Sequence, residues 1–279
     1  MAVKIHHVSC GTLCPFGSKL FTGAGGLLAP FDICCHCLLI ETDGGLVLVD
    51  TGFGEEDARN PRRLGLVFGA VLRPRPRAEE TAKARIVALG LDPNDVRHIV
   101  TTHLDLDHAG GLGDFPDAKV HVFAPEYEIA MKPPLRERLR YVQAQWAHNP
   151  RWVKHEVAGE EWFGFESVRA LPGVEPEVLL VPLVGHSRGH TAVAVKEGER
   201  WLLHCGDGYF HRDEVKTPPG GSPGFRFFEV VTGDNMKAVR SNQERLRELA
   251  REHGGEVELF CAHDPKELER YSNPAGVAN

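Results

Sequence analysis

The chain has 279 residues, 42% of them hydrophobic and 25% charged, with a formal net charge of −7. That apolar content can bury a substantial core, and the charges are scattered rather than gathered into a basic stripe for nucleic acid or a polybasic membrane anchor. No stretch approaches the ~18 apolar residues of a membrane span, and the N-terminal MAVKIHHVSCGTLCP lacks an apolar run of signal-peptide length, so a cytoplasmic protein is expected. Seven cysteines make an odd number, and three fall in CCHCLLIE, which reads as a strand. Reduced thiols are expected rather than a disulfide framework.

In chain order, KIHHVSCG reads as a strand, and CHCLLIETDGGLVLVDTG as two strands around Gly44-Gly45, ending at Asp50. Residues 55–77, rich in arginine, proline and glycine, read as a surface excursion. Ala82, Ile86 and Leu89 give a helix over 79–89 closed by Gly90, and RHIVTTHL gives the next strand. AKVHVF is a further strand, 125–147 reads as helix around Pro133-Pro134, and 150–175 as an aromatic, irregular stretch. VLLVPLVG, TAVAVKEGERWLLHCGD and VELFCAHD then read as strands, with an amphipathic helix over 234–253. Strands and helices alternate in both halves without repeats, which gives one α/β domain over 1–279 with a helical and aromatic insert at about 125–165.

Histidines and carboxylates gather where four of these strands end. TTHLDLDHAGG carries His103, Asp105, Asp107 and His108; GHSRGHT carries His186 and His190; HCGDGYF carries Asp207; FCAHDP carries His263 and Asp264. Open α/β sheets place their sites on such edges, and imidazole with carboxylate suits zinc, iron or manganese. In an extended segment His103, Asp105 and Asp107 share one direction and His108 another, so a single loop can feed two ions. The following glycines permit a tight turn and start a helix whose positive end would face the carboxylates. His6, His7, His98, His121, His148, His155 and His253 read as ordinary surface or core residues. Cys34-Cys35-His36-Cys37 reads as strand packing, because no second CxxC completes a tetrahedral zinc site.

These motifs resemble the metallo-β-lactamase superfamily, whose hallmark is HxHxDH after a strand, then a later His, a bridging Asp and a last His. The similarity runs from about residue 35 to 265, and VDTG with Asp50 resembles the superfamily's early structural aspartate. The resemblance implies a four-layer αβ/βα sandwich of two mixed β-sheets flanked by helices, with two divalent metal ions at one edge. It implies one metal on His103, Asp105 and His190, the other on Asp107, His108 and His263, and Asp207 bridging. Asp105 replaces the hallmark's second histidine; the flavodiiron proteins, with HxExDH, are a parallel, but they carry a flavodoxin domain for which this chain has no room.

A third carboxylate brings the formal charge of a dimetal hydroxide site to zero, which should lower the acidity of the bridging water and favour iron or manganese over zinc at the first position. The resemblance is strongest to N-acyl homoserine lactonases and related lactonases. It implies a dinuclear metal-dependent hydrolase of a small lactone or ester, in which a bridging hydroxide attacks the carbonyl and Asp107 manages the proton. A tyrosine three residues after the bridging aspartate supports the substrate oxygen in those relatives; here Tyr209 lies two after, and a packed aromatic is the alternative. Trp146, Trp152, Trp162 and Phe163 of the insert are candidates for a wall over the metals, for a second hydrophobic layer, or for a homodimer contact. A diiron redox protein, a phosphodiesterase and a thioesterase are the rival functions. The −7 charge speaks against a nuclease, and the 16 residues after His263 leave little for the basic helical domain of a glyoxalase-type thioesterase.

Overall fold

The structure is a computed structural model and describes residues 4–156, 159–174 and 177–272. The first sheet contains β1 (Lys4–Leu13), β2 (Ile33–Thr42), β3 (Gly45–Val49), β4 (Val96–Val100), β5 (Lys119–Phe123) and β6 (Arg151–His155), adjacent in that order. The second contains β7 (Glu160–Trp162), β8 (Phe165–Ala170), β9 (Val178–Pro182), β10 (Thr191–Glu197), β11 (Arg200–His204) and β12 (Val257–Phe260), again in sequence order. Both are mixed: β1–β2–β3 run antiparallel and β3–β4–β5–β6 parallel, while β11–β12 is the parallel pair of the second sheet. The helices are α1 (Ser18–Thr22), α2 (Glu55–Arg59), α3 (Leu66–Val71), α4 (Ala82–Ala88), α5 (Ala124–Met131), α6 (Pro223–Thr232), α7 (Met236–His253) and α8 (Pro265–Ser272).

Period-two alternation in β2 distributes its side chains to two cores. Leu38 and Ile40 face the second sheet and pack with Val193, Val195 and Phe260, while Cys37 and Leu39 face outward onto α4 through Ala82 and Ile86. The second sheet repeats this arrangement, its outer face packing Leu179, Val181 and Leu203 against Leu246 and Leu249 of α7. The result is the expected metallo-β-lactamase fold, helix on sheet on sheet on helix.

Two segments differ from their sequence reading. The stretch over 125–165 is built into both sheets, because it supplies β6 and β7, an edge strand to each. Only Ala124–Met131 of the expected 125–147 helix forms, since Pro133-Pro134 ends it and short 3₁₀ turns follow. Within 150–175, residues 157–158 and 175 lie outside the described residues, and much of the rest is strand. The excursion over 55–77 is anchored by buried Leu64, which packs with Phe53 and Leu106, and it raises α3 beside the site.

Candidate metal centre

The site lies where β3 and β4 of the first sheet and β9, β11 and β12 of the second come to their C-terminal ends. Asp50, just past β3, adopts a left-handed backbone (φ 55°) and binds the next strand end: Oδ1 accepts the Thr102 N–H at 2.8 Å and Oδ2 accepts the Thr102 hydroxyl at 2.7 Å. The same Oδ2 lies 2.8 Å from His108 Nδ1, which fixes that ring and turns its Nε2 into the site. His263 is held likewise by a 2.8 Å contact from Nδ1 to the Cys34 carbonyl.

Asp207 is the hub. Its carboxylate oxygens lie 3.1 Å from His263 Nε2, 3.3 Å from His108 Nε2, 3.3 Å from His186 Nε2 and 3.9 Å from His103 Nε2. Asp105 Oδ2 sits 3.1 Å from His186 and 3.4 Å from His103, and Asp107 lies 3.6 Å from His263. Two groupings therefore bring metal-ligating atoms within 4.8 Å of one another, His103/Asp105/His186 and His103/His108/Asp207, and a third joins Asp107 and His263 to Cys35. His103 Nε2 and Asp207 Oδ1 are buried without a hydrogen-bond partner. Burial opposes ionisation of Asp207, yet His263, His108 and His186 hold its carboxyl well below the usual range. His108 and His263, although burial opposes their protonation, are both pushed up, with Asp207 the largest upward influence on each. Protons on these rings supply positive charge that the carboxylates demand, and divalent cations fit the same donors.

The His190 assignment is corrected by this geometry. Its Nε2 accepts the Asp207 N–H at 2.9 Å and its Nδ1 contacts the Leu183 carbonyl at 3.0 Å, so both nitrogens are spent on backbone groups. His186, four residues earlier in GHSRGHT, is the ring that reaches Asp105 and Asp207; His190 holds the backbone beneath Asp207. Tyr209 is corrected as well: it is fully buried in the outer core of the second sheet, its hydroxyl donating to Glu267 at 3.1 Å. The adjacent Phe210 lines the cavity instead and stacks on His263 with ring centroids 5.6 Å apart. The glycines after His108 open a short 3₁₀ helix, Gly110–Asp114, as expected, and they also lie tight against the β3 loop. A Cβ at Gly110 would lie 2.4 Å from Asp57 Oδ2 and 2.6 Å from the Gly52 carbonyl.

Two residues essential to this arrangement carry no motif. Glu126 of α5 accepts from Leu104 N, Tyr141 Oη, Ser187 Oγ and Gly189 N, so one buried carboxylate clamps the His103–Asp105 loop to the His186–His190 loop. Gly189 lets the chains approach, since a Cβ there would meet Glu126 N at 2.2 Å. Arg140 lies with Nε 3.0 Å from Asp105 Oδ1, donates from Nη1 to the His186 carbonyl at 2.8 Å, and donates from Nη2 to the Thr232 carbonyl. Against the opposing effect of burial, Arg140 and His103 hold the Asp105 carboxyl well below its ordinary range. Only spatial neighbourhood, not spacing along the chain, identifies either residue. The histidines read as core behave as such where they are buried: His121 bonds His98 at 2.8 Å and His155 at 2.9 Å across neighbouring strands.

The ligand cluster forms the floor of a cavity of about 650 Å³. Its walls are apolar and come from the β1–α1 region (Leu13, Phe16, Phe21), from α3 (Val67, Val71) and from α6 (Phe225, Phe228, Val231). Of the alternatives for the insert's aromatics, the wall over the metals is not the one seen, since Trp146, Trp152, Trp162 and Phe163 are absent from this lining. Trp146 packs in the core of the first sheet with Trp152 against it, and Trp162 and Phe163 pack in that of the second; the 125–165 segment contributes Glu137, Leu139 and Arg140.

Fold and donor set together define a metal-site sandwich, and the sequence profile of the metallo-beta-lactamase superfamily matches residues 34–249. The chain belongs to that superfamily. It is 48% identical over 264 residues to a probable metallo-hydrolase of Mycobacterium tuberculosis, covering 94% of this chain and 81% of the relative. It is 30% identical over 252 residues to the N-acyl homoserine lactonase AttM of Azorhizobium caulinodans, covering 89% and 88%. In fold it is similar, with a TM-score of 0.71, 23% identity and 96% of each chain covered, to an N-acyl homoserine lactone hydrolase solved with N-hexanoyl-L-homoserine at its catalytic metal centre.

Proposed function

We propose that this chain is a dinuclear metal-dependent hydrolase that opens a lactone or ester bearing an apolar tail. The observation that carries the reading is the position of the donor cluster at the floor of an apolar cavity, and the lactonase relative matched over most of both chains supports it. One ion would be held by His103, Asp105 and His186 and the other by Asp107, His108 and His263, with Asp207 between them. When bound, the ions would supply an activated water and a Lewis acid for the carbonyl oxygen.

The chain's own residues do the rest. The apolar walls receive the tail and exclude water, so that only the polar head reaches the floor. Asp107, at the cavity floor, takes the proton from the attacking water and returns it to the leaving oxygen. Phe210 occupies the position three residues after Asp207 where the resembling lactonases carry tyrosine, so the substrate oxygen here receives no phenolic hydrogen bond from that position. Arg140 changes the charge count for Asp105: the guanidinium offsets the third carboxylate and withdraws the argument for a harder ion than zinc.

The test is metal analysis of the purified protein with a panel of lactones and esters of graded tail length beside a phosphodiester. Two metals per chain, and a rate that rises with tail length for carbonyl substrates only, are expected. A folded, fully loaded protein that hydrolyses only the phosphodiester would refute the reading.

A further inference from the structure

All seven cysteines are buried and unpaired. Cys35, read from the sequence as strand packing, is the one that groups with metal-ligating atoms among the described residues: its Sγ, a carboxylate oxygen of Asp107 and a ring nitrogen of His263 all lie within 4.8 Å of one another. Alternation along β2 explains why this thiol and not its neighbours reaches the site. Cys34 turns the other way, its Sγ contacting the Ala262 carbonyl at 3.6 Å, and His36 stacks on Phe260. Cys35 faces the opposite side with Leu13, Ile33 and Leu106, beneath the cavity floor.

Two further observations point to a ligand at this position. The Cys34 carbonyl takes His263 Nδ1 at 2.8 Å, so the backbone step that presents the thiol also orients the imidazole towards it. Asp207 Oδ1, in a side chain only 6% exposed, has no hydrogen-bond partner and lies 3.1 Å from the Nε2 of His263, the imidazole that groups with Cys35.

We propose that Cys35 supplies a thiolate ligand to the metal ion held by Asp107 and His263. On binding, the S–H bond breaks, the proton leaves to solvent and a metal–sulfur bond forms, with no change of oxidation state. The two positions of the centre then differ in kind. Sulfur makes the Cys35 position soft and selective for zinc, whereas the other offers only nitrogen and oxygen donors. Zinc therefore occupies the Cys35 position first and leaves it last. The inference rests on the dinuclear reading of the site and is independent of the substrate.

The experiment is cobalt(II) titration of metal-free protein, followed in the near ultraviolet, with zinc-edge X-ray absorption of the zinc-loaded protein. The wild type should show a thiolate-to-cobalt charge-transfer band and one sulfur neighbour at ~2.3 Å for every two zinc ions. Cys35→Ser should lose both and release its more tightly held zinc to a chelator at least ~10-fold more readily, while Cys34→Ser keeps both signals. A band that persists in Cys35→Ser overturns the assignment, as does wild-type protein carrying two zinc ions without a sulfur neighbour. Should Cys35→Ser fail to fold, the wild-type absorption spectrum decides alone. One zinc bound with sulfur would uphold Cys35 and remove the dinuclear reading; two zinc ions without sulfur would do the reverse.

Discussion

Replacing Arg140 by methionine isolates the charge balance of the site. The substitution preserves the long unbranched packing but leaves Asp105 Oδ1, 3.0 Å from the guanidinium in the wild type, buried without its counter-ion. Breaking a buried pair by removing one partner costs about 3–5 kcal/mol, the lost donations to the His186 and Thr232 carbonyls included. Metal-free Arg140→Met should therefore be destabilised by about 4 kcal/mol, a fall of roughly 8 °C in melting temperature for a chain of this size. With metal bound, a cation beside Asp105 takes over much of the guanidinium's role, and the difference should shrink to ~1–2 kcal/mol. Closing the cycle, first-position metal affinity should rise by about 2–3 kcal/mol, or ~30–140-fold.

The pH dependence supplies an independent check on the same pair. Asp105 has a depressed pKa in the folded chain, so its stabilising contribution is present above the ordinary carboxylate range and is lost as pH falls through the folded value. The gap between wild type and Arg140→Met should then be full at neutral pH and narrow on acidification, because the unpaired Asp105 accepts a proton. Denaturant melts of metal-free and loaded protein from neutral to acidic pH, with a chelator competition, measure all three quantities. A variant that melts with the wild type when metal-free, or binds metal more weakly, refutes the argument. Asp105→His, which restores the superfamily motif, would set an imidazole against Arg140. It should lower stability when metal-free, and Arg140→Met added to it should recover much of that loss.

The other expectations follow from single contacts. His186→Ala should lose close to one metal per chain, whereas His190→Ala should retain both and lose about 2–3 kcal/mol of stability through the unpaired Asp207 N–H; metal analysis with thermal melts distinguishes them, and the opposite pattern would restore His190 as the ligand. Glu126→Ala removes an acceptor shared by four donors and should cost ~3 kcal/mol while lowering metal occupancy without touching a ligand; unchanged occupancy would mean that the two loops hold themselves. Tyr209→Phe leaves buried Glu267 without its phenol and should cost ~1–2 kcal/mol with kcat within about twofold of wild type; a large fall in kcat with intact folding would make Tyr209 part of the reaction.

What the sequence disclosed and what it withheld divide along a physical line. Strand identity was legible because alternation and the glycine-marked turn are local, the turn itself falling at Asp43-Gly44 with Gly45 opening β3, and strand-end ligands were legible because a sheet edge concentrates them. GHSRGHT shows where locality ends. Its two histidines are equally available in one dimension, and the choice turns on which nitrogens the backbone consumes: Asp207 N and the Leu183 carbonyl occupy His190, while neither binds His186. Tyr209 and Phe210 are adjacent and opposed in direction in the same way, one turned into the outer core and the other into the cavity. The charge of the centre was beyond reach for a different reason. Asp105 and Arg140 are 35 positions apart, and the segment bearing the arginine carries no pattern that assigns it to the site. Counting carboxylates within one loop therefore gave a site short of positive charge, when a buried guanidinium from a turn beyond α5 had already supplied it. The same reasoning applies to Cys35. A thiol in a strand of apolar residues is indistinguishable from packing until the second sheet brings His263 against it, so the softest donor of the centre was hidden in its most ordinary-looking strand.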